Sequence, residues 1–91
     1  MYRYPITRFV TETSIPRQLL HIASEILEII IALCKGDLEH AVHESFDAIH
    51  SLETLIRKLV IVSWQRGNFI NSTLIGQKIE QKNRDRGYYA H

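Results

Sequence analysis

The stretch Gln18–Asp47, QLLHIASEILEIIIALCKGDLEHAVHESFD, decides the fold. From Gln18 to Cys34 nothing interrupts a helix. At 100° per residue, Leu19, Leu20, Ile22, Ile26, Leu27, Ile29, Ile30, Ile31 and Leu33 cover almost its whole circumference. The remaining polar strip holds His21, Ser24, Glu25 and Glu28. Such a helix is expected to be buried on most sides, with its two glutamates near or within the interior. Lys35-Gly36 reads as a C-terminal stop, because glycine enters the left-handed region without steric cost. Asp37 reads as the N-cap of a second helix, with Glu39 in its first turn.

The second helix repeats the first one's polar pattern. His21-x-x-x-Glu25-x-x-Glu28 is echoed, nineteen residues later, by His40-x-x-x-Glu44-x-x-Asp47. Acids three residues apart project from one helix face about a turn apart. Glu28 and Glu44 each lie eight residues from Gly36, and Glu25 and Asp47 each lie eleven. In antiparallel helices joined by a tight turn, equal distance from the turn means equal height, so the four carboxylates are expected to meet. Four such charges in an interior need a cation, or some of them stay protonated. All-oxygen donors select a hard ion, Mg2+ with Mn2+ as a substitute.

Five histidines offer a rival metal, since Asp47-x-x-His50 resembles half of a di-iron helix motif. The helical wheel opposes it, placing His43 and His50 roughly 100–120° from Glu44, on the solvent side. His40 falls between Glu44 and Asp47. His21 and His40 are candidates for outer partners of the acids or for plain boundary residues. Cys34 reads as a small buried side chain.

Outward from this stretch, Pro5, Thr11, Thr13 and Ser14 mark residues 1–15 as an arm, loop or extended. The first helix begins near Pro16, with Ser14 able to cap it. Leu59-Val60-Ile61-Val62 is β-branched enough for a strand, but it continues the stripe Ala41, Ser45, Ala48, Leu52, Ile56, Leu59. The second helix is therefore expected to run to about Trp64, closed by Arg66-Gly67-Asn68. Asn71 or Ser72 can cap a short third helix from about Thr73 to Asn83. The expected fold is all-α: an antiparallel helical hairpin plus a short third helix, one domain over 16–84, with a tail at 85–91.

Composition sets the remaining bounds. A 91-residue chain is one domain's worth, 45% hydrophobic but 9% aromatic, so its core material is aliphatic. Small aliphatic domains without disulfides often gain stability by oligomerising, here into a helical bundle. The single cysteine excludes an intrachain disulfide and fits a reducing compartment. No segment reads as a signal peptide, and the longest apolar run, Ile29–Cys34, is far too short to span a bilayer. A soluble, cytoplasmic protein is expected.

The net charge of +1 divides unevenly: residues 18–56 carry seven acids and one base, residues 57–91 seven bases and two acids. Lys78 and Lys82 share a helix face, with Asn83 beside them and Arg86 just beyond. The bases are not dense enough for a nucleic-acid arm, and Tyr88-Tyr89 follow them instead of alternating through them. Packed against the acids, these cations would suit a polyphosphate bridged to Mg2+.

The segment Ser24-Glu25-Ile26-Leu27-Glu28, then fifteen residues, then Glu44-Ser45-Phe46-Asp47, resembles the E-E-x-x-E … E-x-x-D signature of the MazG-like all-α nucleotide pyrophosphohydrolases. Lys78-x-x-x-Lys82-Asn83-x-x-Arg86-Gly87 is similar to the ending of small members, so the resemblance spans roughly residues 16–89. It implies a helical fold assembled as a homodimer or homotetramer. It also implies Mg2+-dependent hydrolysis of a (d)NTP to the monophosphate and pyrophosphate. By that analogy Glu25, Glu28, Glu44 and Asp47 bind the metal and serve catalysis, while Lys78, Lys82, Asn83 and Arg86 contact phosphates. Ser24 stands where the signature carries its first glutamate, and the arm is short, so any wall for a base comes from a partner chain or from Tyr2, Tyr4 and Phe9. These departures also fit a catalytically silent dimerisation or nucleotide-sensing module. A third possibility is nucleic-acid binding through the basic half.

Overall fold

Ser14 starts the first long helix as expected: its Oγ accepts the Arg17 N–H at 3.2 Å, and Pro16 sits in the opening turn, where a missing N–H costs nothing. In the computed structural model, which describes residues 2–90, four helices follow in order: α1 (Phe9–Glu12), α2 (Ile15–Cys34), α3 (Leu38–Gln65) and α4 (Ser72–Asp85). Met1 and His91, the ends of the expected arm and tail, lie outside the described residues. No strand occurs among the described residues, and no helix there is long and apolar enough to cross a membrane. The β-branched run Leu59–Val62 is helical. The arm is irregular apart from α1, a single helical turn.

The reversal between α2 and α3 is chemically specified. Gly36 takes φ +72°, its N–H donates to Leu33 O at 3.0 Å, and the Asp37 N–H donates to Ala32 O at 3.0 Å. This pairing satisfies carbonyls that the helix end would leave orphaned. Asp37 Oδ1 then accepts the His40 N–H at 3.0 Å and starts α3.

The chain forms two compact units, Tyr2–Leu59 and a second one from Val60 onward. In the first, α2 lies against α3 along one stripe per helix. On α2 that stripe buries Gln18, Ile22, Glu25 and Ala32; on α3 it buries Ala41, Ala48, Ser51, Thr54 and Lys58. The sequence led us to expect α2 to be buried on most sides, and within this chain it is not. Leu19, Leu20, Ile26, Leu27, Ile30, Ile31 and Leu33 are exposed, Leu20 at 72%. A two-helix contact covers only one stripe of each partner, and here that stripe follows the polar strip. The stripe read on α3 splits for the same reason: Ala41 and Ala48 are buried, while Leu52, Ile56 and Leu59 face outward. Cys34 is also exposed, contrary to expectation, because it falls on this outer surface.

The arm is fastened along α3. The Glu53 carboxylate accepts the Arg3 and Tyr4 N–H groups, both at 2.9 Å, and Arg57 Nη2 donates to Tyr4 O at 2.8 Å. The Arg57 guanidinium also sits over the Tyr2 ring, and the Tyr4 ring stacks on His50 at 4.6 Å. Lys58, only 4% exposed, donates from Nζ to Val10 O at 3.0 Å and to Thr13 O. Burial pushes its pKa below the usual lysine value. Counting Lys58 with a solvated basic half concealed this role.

In the second unit, Gly67 (φ +80°) ends α3, and Trp64 Nε1 donates to Ile70 O at 3.0 Å. Asn71 caps α4 by accepting the Leu74 N–H at 3.2 Å. No residue of α4 is buried.

Candidate functional site

A cavity of about 480 Å³ runs along the polar strip of the first unit. From α2 it is lined by Arg17, Gln18, His21, Ser24, Glu25 and Glu28, and from α3 by Glu44, Asp47, His50, Ser51 and Thr54. The arm supplies Thr7, Phe9 and Thr13. The volume lies within the range typical of small-molecule sites. All four carboxylates read from the sequence are on its wall.

They do not play equal parts there. Glu28 and Glu44, equidistant from Gly36, come close enough for their carboxyl groups to interact. That contact pushes the Glu44 pKa up, aided by desolvation and by the charges of Glu28 and Asp47, while His40 opposes the shift. His40 Nε2 lies 3.5 Å from Glu44 Oε1, and the Glu44 side chain is 13% exposed.

Glu25 is the buried member, 6% exposed. Its Oε1 accepts from Ser51 Oγ and lies 2.7 Å from His21 Nε2. Glu25 therefore engages Ser51, whereas symmetry about the turn pairs it with Asp47. Asp47 is exposed on the cavity wall and acts on Glu44 through its charge. His21 and His40 each partner the acid four residues on. Ser24 turns its hydroxyl to the His21 carbonyl at 2.7 Å.

The donor chemistry fits a hard cation at Glu28 and Glu44. Glu28 and Asp47 push the Glu44 pKa up, and a cation placed between these acids would relieve that like-charge interaction. Among the described residues, no group of three or more His, Cys, Asp or Glu side chains is drawn together as a metal cage. Mg2+ does not require one, since it is usually held by one or two carboxylates and completed by water and phosphate oxygens.

Three features of the cavity escaped the sequence. Arg17 is the one fixed positive charge among its lining residues. Stepping back one turn from His21, Ser24 and Glu28 at helical spacing would have reached it. The wheel put His50 on the solvent side, yet it is half-buried on the cavity wall, because the arm covers it. Phe9, Thr7 and Thr13 depend on how the arm folds back, which no periodicity encodes.

Lys78, Lys82 and Asn83 lie on α4 and Arg86 is its C-cap, all within the second unit. Lys78 and Lys82 are exposed, Asn83 is half-buried, and the Arg86 guanidinium sits 5.8 Å from the Tyr88 ring centre. No protein-family model, no curated protein and no solved structure matches this chain.

Proposed function

We propose that this protein is a Mg2+-dependent nucleoside triphosphate pyrophosphohydrolase, converting a (d)NTP to the (d)NMP and pyrophosphate. One observation carries it above the rest: Glu28 and Glu44 are paired carboxyls on a cavity of ligand size, with Asp47 and Glu25 on the same wall. Against four acids the cavity sets one fixed cation, Arg17. A polyphosphate, itself strongly anionic, enters such a site only with a metal to offset the repulsion.

In this scheme Glu28 and Glu44 hold the ion, with Asp47 beside them. Bound there, Mg2+ supplies neutralisation of the phosphate oxygens and activation of water. Glu25, fixed through Oε1 by Ser51 and His21, adds an oriented negative charge without rotamer freedom. His40 biases Glu44 toward its charged form, which the metal requires. Lys78, Lys82, Asn83 and Arg86 are the proposed phosphate contacts, on the strength of the resemblance alone.

The assembly proposed is a homodimer or homotetramer. It is supported by the outward apolar faces, notably Leu38, Val42, Phe46, Ile49, Leu52, Ile56 and Leu59, which recur every three or four residues on α3. Unpartnered faces of this extent mark an interaction surface.

A panel of canonical and modified (d)NTPs with Mg2+ tests the activity. Pyrophosphate release from at least one substrate, abolished in Glu44→Gln, is expected; a folded protein releasing none from any would overturn it. One observation favours a second reading, a silent nucleotide-sensing module: the Ser24 hydroxyl is spent on its own helix. Mg2+-dependent nucleotide binding without turnover would decide for that module.

A further inference from the structure

Arg17 is the uncommitted donor of the cavity wall. The hydroxyl and amide groups around it at the arm end are spent within the chain. Thr7 Oγ1 pairs with Thr54 Oγ1 at 3.2 Å, Thr13 Oγ1 donates to Phe9 O at 2.8 Å, and Gln18 Nε2 donates to Ser51 O. One turn on, His21 Nε2 is engaged by Glu25, and the Ser24 hydroxyl by the His21 carbonyl. Arg8, whose guanidinium lies 5.2 Å from the Phe9 ring centre, is ion-paired with Glu12 at 3.6 Å. The Arg17 guanidinium has no such partner among the described residues; the contact Arg17 makes there is through its backbone N–H, to Ser14 Oγ. The sequence explains why. Its neighbours at three and four residues are Thr13, Ser14, Leu20 and His21, so α2 offers it no acid.

Fixed charge is therefore divided along one cavity. The acids Glu28, Glu44 and Asp47 lie toward the Gly36 turn, and Arg17 lies toward the arm. Arg17 precedes Glu28 by eleven residues, about 16 Å along α2. A phosphate chain and the arginine's own length bridge that interval between them. The planar guanidinium fork matches phosphate oxygens two at a time, which a point charge does not. A ligand that satisfies both ends carries metal-bound oxygens at one and a metal-free anionic group at the other.

We infer that Arg17 anchors the terminal phosphate of the substrate, so that the phosphate chain extends from Glu28 and Glu44 toward the arm. The assignment rests on the nucleotide reading above and gives its substrate a direction in the cavity. It also places a phosphate contact within the same compact unit as the acids.

Isothermal titration calorimetry on the full chain with Mg2+ tests it, with inorganic pyrophosphate and the NMPs and dNMPs as probes. Arg17→Gln should weaken pyrophosphate binding about 10- to 100-fold, the scale of a hydrogen bond to a charged group. Arg17→Lys, which keeps the charge and loses the fork, should recover only part of that loss. Binding of a monophosphate, which ends short of the arm, should be unchanged in both variants. Tm should stay near wild type, because Arg17 is exposed. If Arg17→Gln binds pyrophosphate as tightly as wild type, or weakens a monophosphate equally, the anchor is wrong while the metal site stands. If the wild-type protein binds neither pyrophosphate nor any monophosphate, the nucleotide reading fails and the anchor with it.

Discussion

The two sides of α2 reverse the usual order of a folded chain. The side pressed against α3 buries Gln18 and Glu25 beside Ile22 and Ala32, whereas Leu19, Leu20, Ile26, Leu27, Ile30 and Leu33 face outward. Burying polar groups is unfavourable unless they are paired, and exposing a row of aliphatics forgoes the main source of stability. The contrast is what the proposed function requires, an inner seam that could take a ligand and outer faces that could meet other copies of the chain. The polar seam is satisfied internally at Glu25 by Ser51 and His21, and at Gln18, whose Nε2 donates to Ser51 O at 3.0 Å.

The largest effect should come from the inner side. Glu44→Gln removes one of the paired carboxylates, and pyrophosphate release should fall on the order of 100-fold or more, the scale seen when one preorganised electrostatic group is lost. Because the substitution also ends a like-charge contact, the metal-free Tm should hold or rise. A variant that loses activity by unfolding would break the assignment of Glu44 to the ligand.

On the outer side, paired substitutions Ile30→Glu and Leu52→Glu should dissociate the assembly, read by sedimentation equilibrium. Each buried aliphatic contributes about 1.5–3 kcal/mol, so losing two per chain removes roughly 3–6 kcal/mol from each copy's side of the contact. A variant with unchanged mass would show that these faces do not meet another copy.

Lys58 links the seam to the arm. Lys58→Met keeps the stem but removes both donors to Val10 and Thr13, and urea unfolding should show a loss of about 2 kcal/mol. No loss would mean that the burial of its charge cancels its hydrogen bonds.

The smallest effect is a pH dependence of a few degrees in Tm. Glu44's folded pKa lies above its ordinary 4.5, so the folded state holds the proton more tightly than the unfolded chain. This contribution to stability is fully present below 4.5 and lost as pH rises through the raised value. Stabilisation by Mg2+, which displaces the proton, should grow over the same window. Both slopes should flatten in Glu44→Gln.

Much of this was legible in the chain because it is local. Ser14, Gly36, Asp37 and Asn71 act on backbone groups within a turn of themselves, and all four behave as their chemistry predicts. The Glu28–Glu44 contact was legible too, since equal spacing from Gly36 is a one-dimensional fact with a three-dimensional consequence. What failed depends on partners outside the helix being read. The wheel could not say which stripe of α2 meets α3, because aliphatics suit either an intrachain core or an interface between copies. It misplaced His50, whose neighbour Tyr4 is 46 residues away. Lys58 looked like a surface charge until the arm folded over it.

A crystal grown with Mn2+ tests the central claim most directly. Anomalous density between the Glu28 and Glu44 carboxylates, within coordination distance of both, is the predicted result. Clear density for both carboxyls with no ion between them would contradict it.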